Sequence, residues 1–209
     1  MSSTWSVSRR LGLVLALAAA QSLASPAGAH VPIVPKKDGP ARRIVHVPVP
    51  DLELVDQDGK PFRFASLRGK IVVVSFIFAT CPDVCPLLTA KLAGIQRALG
   101  SSGGDAVRLL SITTDPERDT PELLKAYGAN YRADFERWRF LTGNRAQLAA
   151  TWKAFGVTVT RSAGGQIRHT AITSLIDERG IRRVDYYTDR WREKDVLGDI
   201  SWLRSHRSR

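Results

Sequence analysis

The sequence predicts an α/β domain, a mixed sheet flanked by helices with an added N-terminal β-hairpin. Three observations carry the prediction. β-Prone apolar runs alternate with helix-length segments through the middle of the chain, the order expected of parallel strands joined by crossover helices. The run Val72-Val73-Val74-Ser75-Phe76-Ile77-Phe78 has no polar alternation, so it reads as a central strand buried on both faces. Two late strands are joined by the turn Glu178-Arg179-Gly180, which makes one side of the sheet antiparallel.

The first 50 residues stand apart from this pattern. Arg9-Arg10, the apolar run Leu11 to Ala20 and the small residues Ala27-Gly28-Ala29 read as a cleavable export signal over residues 1–29. The apolar run is short for a bilayer span, and an uncleaved anchor is the alternative. No cysteine lies near the cleavage position, which argues against a lipid anchor. Residues 30–50 carry Pro32, Pro35, Pro40, Pro48 and Pro50 and read as an extended lead-in or linker. The folded domain is expected over residues 51–204, with a basic tail over 205–209.

Within the domain, Leu52 to Val55 and Pro61 to Phe64 alternate around the turn Asp56-Gln57-Asp58-Gly59-Lys60, a β-hairpin signal. The Asp-x-Asp-Gly pattern lacks the rest of a calcium loop and reads only as a turn. The central strand leads to a helix over Leu87 to Leu99. A flexible loop over Ser101 to Asp105 and a second buried strand, Val107 to Thr113, follow. In Asp115-Pro116-Glu117-Arg118-Asp119-Thr120-Pro121-Glu122, Asp119 or Thr120 is placed to cap a helix over Leu123 to Tyr131. Trp138 to Leu141 is a short strand and Gln147 to Phe155 a helix. Val157 to Thr160 is β-prone, and Arg161 to Gln166 reads as a polar loop. His169-Thr170 opens the strand Ala171 to Asp177. Ile181 to Tyr187 is its hairpin partner, and Glu193 to Leu203 a terminal helix. This order is the thioredoxin-like layout with a hairpin added in front. In that layout a cis-proline faces the cysteines just before the antiparallel strand. Here no proline follows Pro121, and His169-Thr170 stands in its place.

Chemistry concentrates at Cys81 and Cys85, the only two cysteines, where the central strand becomes a helix. Their spacing puts both side chains on one helical face, but Pro82 disfavours helical geometry at Cys81, which is expected at or before the helix start. The helix dipole and exposed N–H groups there favour thiolates. Three readings stay open: a structural disulfide, a dithiol redox centre, and a metal site of both sulfurs and one imidazole. Of the four histidines, His30 and His46 fall in the lead-in and His206 in the tail; His169 falls at the sheet edge where the cysteines sit. Two thiolates and a nitrogen suit copper in either oxidation state. Zinc would want a fourth ligand, for which water or Asp83 is available. The single methionine, Met1, offers no thioether to a mature site.

The net charge of +11 favours an acidic partner or an anionic membrane surface over nucleic acid, because no reading module gathers the arginines. A solvated basic surface explains it equally well.

Taken together, Thr80-Cys81-Pro82-Asp83-Val84-Cys85-Pro86, Asp115-Pro116-Glu117-Arg118-Asp119-Thr120-Pro121, Leu141-Thr142-Gly143 and His169-Thr170 resemble the Sco/SenC family. The likeness runs from about Leu52 to Tyr187. It implies a thioredoxin-like fold that binds one copper ion, Cu(I) or Cu(II), through Cys81, Cys85 and His169, with Cys81 and Cys85 also serving as a redox dithiol. It further implies a role in assembling the binuclear copper centre of cytochrome c oxidase subunit II, by donating copper, by reducing its cysteines, or both. A thioredoxin-like reductant or another copper chaperone is the implied upstream partner, and the periplasm the implied compartment. Three features depart from the family pattern: threonine follows His169 where serine is frequent, the loop Arg161 to Arg168 before it is short, and the N-terminal segment reads as cleavable where many relatives keep a transmembrane anchor. An exported disulfide reductase without a metal is the alternative reading.

Overall fold

A computed structural model describes residues 41–206, apart from the side chains of residues 101–104. The predicted export signal, His30 and the last three residues of the basic tail lie outside the described residues.

The fold is α/β and thioredoxin-like, built on an eight-stranded sheet in the order β1-β10-β9-β4-β5-β6-β2-β3. The strands of its centre are β4 (Ile71–Ile77), β5 (Val107–Thr113) and β6 (Trp138–Thr142), all parallel. β9 (Ile172–Ile176) runs antiparallel to β4, and β10 (Ile181–Tyr187) antiparallel to β9. On the other side β2 (Glu53–Asp56) pairs with both β6 and β3 (Pro61–Arg63), which is the predicted hairpin. A short 3₁₀ turn, Phe64–Leu67, follows it. The helices are α1 (Val84–Gly104), α2 (Pro121–Asn130), α3 (Arg145–Phe155) and α4 (Glu193–Ser205).

β4 is buried at every position, as its unbroken apolar run requires. Its side chains alternate between two cores. Ile71, Val73 and Ile77 pack with Leu88 and Leu92 of α1, Leu124 of α2 and Ile200 of α4. Val72, Val74 and Phe76 pack with Leu148 and Phe155 of α3 and with Phe64. Burying a large aliphatic or aromatic side chain contributes roughly 1.5–3 kcal/mol. This two-sided core therefore holds the carboxyl end of β4 rigidly where the cysteines follow.

The structure revises the sequence reading in three places and settles one choice it left open. Arg42–Pro48, inside the expected lead-in, is β1, an edge strand paired antiparallel with β10. Proline is tolerated at a sheet edge, and a bulge between Ile44 and Val47 interrupts the ladder. Helix α1 does not end before residue 101. Gly100 takes φ +56°, breaking the regular helix, and a further turn reaches Gly104. Of the two expected caps for α2, Thr120 is the one used: its side chain accepts the Leu123 N–H at 3.3 Å, with Pro121 at the first helical position. The polar loop after Val157 is narrower than predicted, because β7 (Val159–Arg161) and β8 (Ile167–His169) pair as a separate two-stranded ribbon. His169 ends that ribbon instead of opening β9.

Candidate functional site

The peptide leaving β4 turns sharply between Phe78 and Cys81, where the Cys81 N–H donates to the Phe78 carbonyl at 3.1 Å. Cys81 precedes the helix, as Pro82 demands, and Cys85 lies in the first turn of α1. Asp83 sits at the N-cap position, is exposed, and makes no capping bond with its side chain. Cys81 is 6% exposed and Cys85 and His169 0%, so a partner or ion reaches the site past Cys81. The two cysteines form no disulfide.

The β7–β8 ribbon delivers the imidazole. Its base is stitched by two bonds between Thr158 and Thr170. The Thr170 N–H donates to the Thr158 carbonyl, and the Thr170 hydroxyl accepts the Thr158 N–H, each at 3.0 Å. The His169 Nδ1 lies 2.9 Å from the Thr170 carbonyl oxygen. A carbonyl only accepts, so Nδ1 carries the proton and Nε2 the lone pair. Nε2 faces Cys85, with Sγ 3.9 Å away. The Phe78 ring meets the imidazole edge-on, at 6.0 Å between centroids and 80° between planes. This contact fills the space beside the ring without adding a ligand.

Burial pushes the Cys85 thiol well above its ordinary range, and its hydrogen bond with Cys81 adds to the shift. The expectation that the helix terminus would favour a thiolate therefore fails at Cys85. A dipole effect of about 0.3–1 kcal/mol at a helix end is small beside the desolvation of a buried anion. Cys85 is protonated at neutral pH, and a metal ion that binds there must displace the proton.

Cys81, Cys85 and His169 thus meet at one place from sequence positions 88 residues apart. Among the described residues, no three His, Cys, Asp or Glu side chains are drawn into a finished metal cage. The structure offers instead a Cys85–His169 contact with Cys81 hydrogen-bonded alongside. Metal–thiolate and metal–imidazole bonds of about 2.3 and 2.0 Å together reach about 4.3 Å, so one ion can touch both Cys85 and His169. His46 lies exposed on edge strand β1, and His206 stacks on Trp202 at the end of α4. Neither joins the site.

Asp119, which the sequence offered only as a possible helix cap, sits against the cysteine turn instead. It is buried, accepts the Ala79 N–H at 3.2 and 3.3 Å, and takes the Thr113 hydroxyl at 2.5 Å. Burial raises its carboxyl to about 6. It braces the turn that carries Cys81. The available signal was a second aspartate beside a threonine that already suffices as the cap.

The SCO1/SenC family model matches residues 46–204. This chain belongs to that family. Among its relatives is a protein named as an SCO1 homologue in Bacillus subtilis (strain 168), 33% identical over 149 residues, or 69% of this chain and 77% of that protein. The solved structure of Bradyrhizobium japonicum ScoI with copper bound superposes with a TM-score of 0.64 at 28% identity, covering 75% of this chain and 99% of that one. The structure of BsSco covers 78% of this chain and 97% of its own, with a TM-score of 0.68 at 29% identity. It is described as containing a disulfide switch and as one of the Sco family of cytochrome c oxidase assembly proteins. Family membership and fold thus rest on most of the described chain. Among the described residues no helix is long and apolar enough to cross a membrane.

Proposed function

We propose that this protein is a copper-binding assembly factor for cytochrome c oxidase. Cys81, Cys85 and His169 hold one copper ion per chain. The observation that carries the reading is the orientation of His169: Nδ1 donates to a backbone carbonyl, and Nε2 points its lone pair at Cys85. Soft thiolates retain Cu(I), and the nitrogen helps retain Cu(II). The copper-bound relative supports the cargo, and the description of BsSco supports the pathway.

The recipient is the binuclear copper site of oxidase subunit II, served by copper donation, by reduction of its cysteines, or by both. In the reductive step the Cys81 thiolate attacks a sulfur of the target disulfide and forms a mixed disulfide. Cys85 then attacks Cys81, releasing the target dithiol. Two electrons and two protons leave Cys81 and Cys85 and reach the target. Both thiols are buried, but Cys81 keeps slight exposure where Cys85 has none, which supports Cys81 as the attacking thiol. The resulting Cys81–Cys85 disulfide has no thiolate left for copper, so binding is tied to redox state. The domain acts after export to the periplasm, behind the signal over residues 1–29 or tethered through it.

The test loads reduced and oxidised protein with copper. One equivalent bound by the dithiol and none by the disulfide supports the reading; equal binding sinks it. If His169→Ala keeps full copper affinity and oxidase assembly while Cys81→Ser stops reduction of the partner, the metal-free reductase replaces it.

A further inference from the structure

The segment Asp115 to Asp119 touches both flanks of the site. Asp115 and Asp119 are fully buried, and Thr113 joins them. Its hydroxyl accepts the Asp115 N–H at 2.8 Å and donates to Asp119 at 2.5 Å. Asp119 reaches the cysteine turn through Ala79. Asp115 reaches the opposite way, where its Oδ1 takes the guanidinium of Arg161. Arg161 is the last residue of β7 and pairs across the ribbon with Ile167, two positions before His169. Glu117 lies 3.3 Å from the same guanidinium nitrogen.

This contact matters because of what the ribbon lacks. β7 and β8 have three residues each and form no ladder with the main sheet. A pair that short is weakly held by itself, and a slip of one residue would turn its side chains to the opposite face. Ile167 packs into the core, but an apolar contact is non-directional. A buried carboxylate is different. Its oxygens need directional partners, and a guanidinium satisfies them only in a narrow range of positions.

We propose that Asp115 and Arg161 are a positioning pair that sets the register of the β7–β8 ribbon, and through it the approach of His169 to the cysteines. The proposal uses the copper reading above for one of its two readouts. The other needs no metal.

The variants are Arg161→Met, the double variant Asp115→Asn/Arg161→Met, and the conservative Arg161→Lys. The double variant leaves no unpaired buried charge and keeps the test open if the single one does not fold. The first readout is NMR of the reduced protein without copper, following the His169 ring nitrogens and the ring-to-ring contact with Phe78. Arg161→Met and the double variant should broaden or shift the His169 signals and weaken the contact, and Arg161→Lys should restore part of both. The second readout is affinity for Cu(II) and Cu(I) by ligand competition. Residues that orient a ligating histidine typically contribute about 10–100-fold to affinity. A fall of that size for Cu(II), with Cu(I) changed less than about threefold because two thiolates hold it, is expected. Unchanged His169 signals in both variants overturn the proposal, as does a parallel loss of both copper affinities. If the parent protein binds no copper, the copper reading fails, and the NMR arm still decides the positioning role.

Discussion

The cysteine flank and the histidine flank of the site are held by different means. Cys85 belongs to the same core as β4, α1 and α4, and Cys81 is fastened through Phe78 and the Asp119-braced turn. His169 stands on a small ribbon outside the main sheet, held by threonine bonds at its base and by the Asp115–Arg161 ion pair near its tip. The cysteine flank lies wholly within that core; the histidine flank touches it through Ile167 and takes its direction from a few polar contacts. The contrast assigns them different work. On the copper reading proposed above, the thiol flank governs whether copper is held at all, and the ribbon governs how well Cu(II) is held.

Substitution at the thiols should have the greatest effect. Cys85→Ser should lower affinity for both copper states by more than the roughly 100-fold upper range of an orienting residue, since it deletes a ligand. Competition titration measures it, and retention of tight Cu(I) binding would contradict the assignment. His169→Ala should be unequal, costing Cu(II) at least about tenfold and Cu(I) much less. Equal losses would mean that the ribbon belongs to the same unit as the thiols.

The brace on the cysteine turn has a pH signature. The Asp119 carboxyl is raised from 3.8 to about 6 by burial, despite its bonds to Thr113 and Ala79. The folded form therefore holds the proton more tightly than the unfolded chain. The stability this contributes is complete below about pH 4 and is lost as pH rises through about 6. A shift of this size corresponds to about 2–3 kcal/mol. In thermal melts of the reduced, copper-free protein, Asp119→Asn should gain most over the parent at pH 7, and its advantage should vanish towards pH 4. A difference that does not vary with pH counts against the burial argument. Smallest is Thr120→Ala, which removes the α2 cap and should cost about 1 kcal/mol with copper affinity unchanged. A change in copper binding there would show that α2 and the cysteine turn are coupled more tightly than separate bonds imply.

Much of this was readable in advance. The buried run from Val72, the Asp56–Lys60 turn and the Glu178–Gly180 turn each follow from local patterning, and each stands close to where it was expected. The misses share one cause. β1 carries no alternation, because as an edge strand it faces solvent at most positions, and its ladder partner lies well over 100 residues away. Asp115 and Asp119 look like loop carboxylates, and only the tertiary fold buries them. The raised Cys85 thiol is hidden in the same way. A helix start favours thiolate by a rule any sequence reader applies, whereas burial depends on what packs above it.

The sequence alone supplied the candidate residues, two cysteines at the end of a buried strand and one histidine where the thioredoxin-like layout has its proline; their copper ligation is what the family resemblance implies. Composition and order narrow the candidates to these three, because the chain contains no other cysteine and few histidines. What the fold adds is that His169 Nε2 faces Cys85, that Cys85 is sealed while Cys81 keeps slight exposure, and that buried Asp119 and Asp115 contact the two flanks. The physical reason is that hydrogen-bond direction, desolvation and charge pairing depend on neighbours far away in the chain, and local pattern carries no record of them.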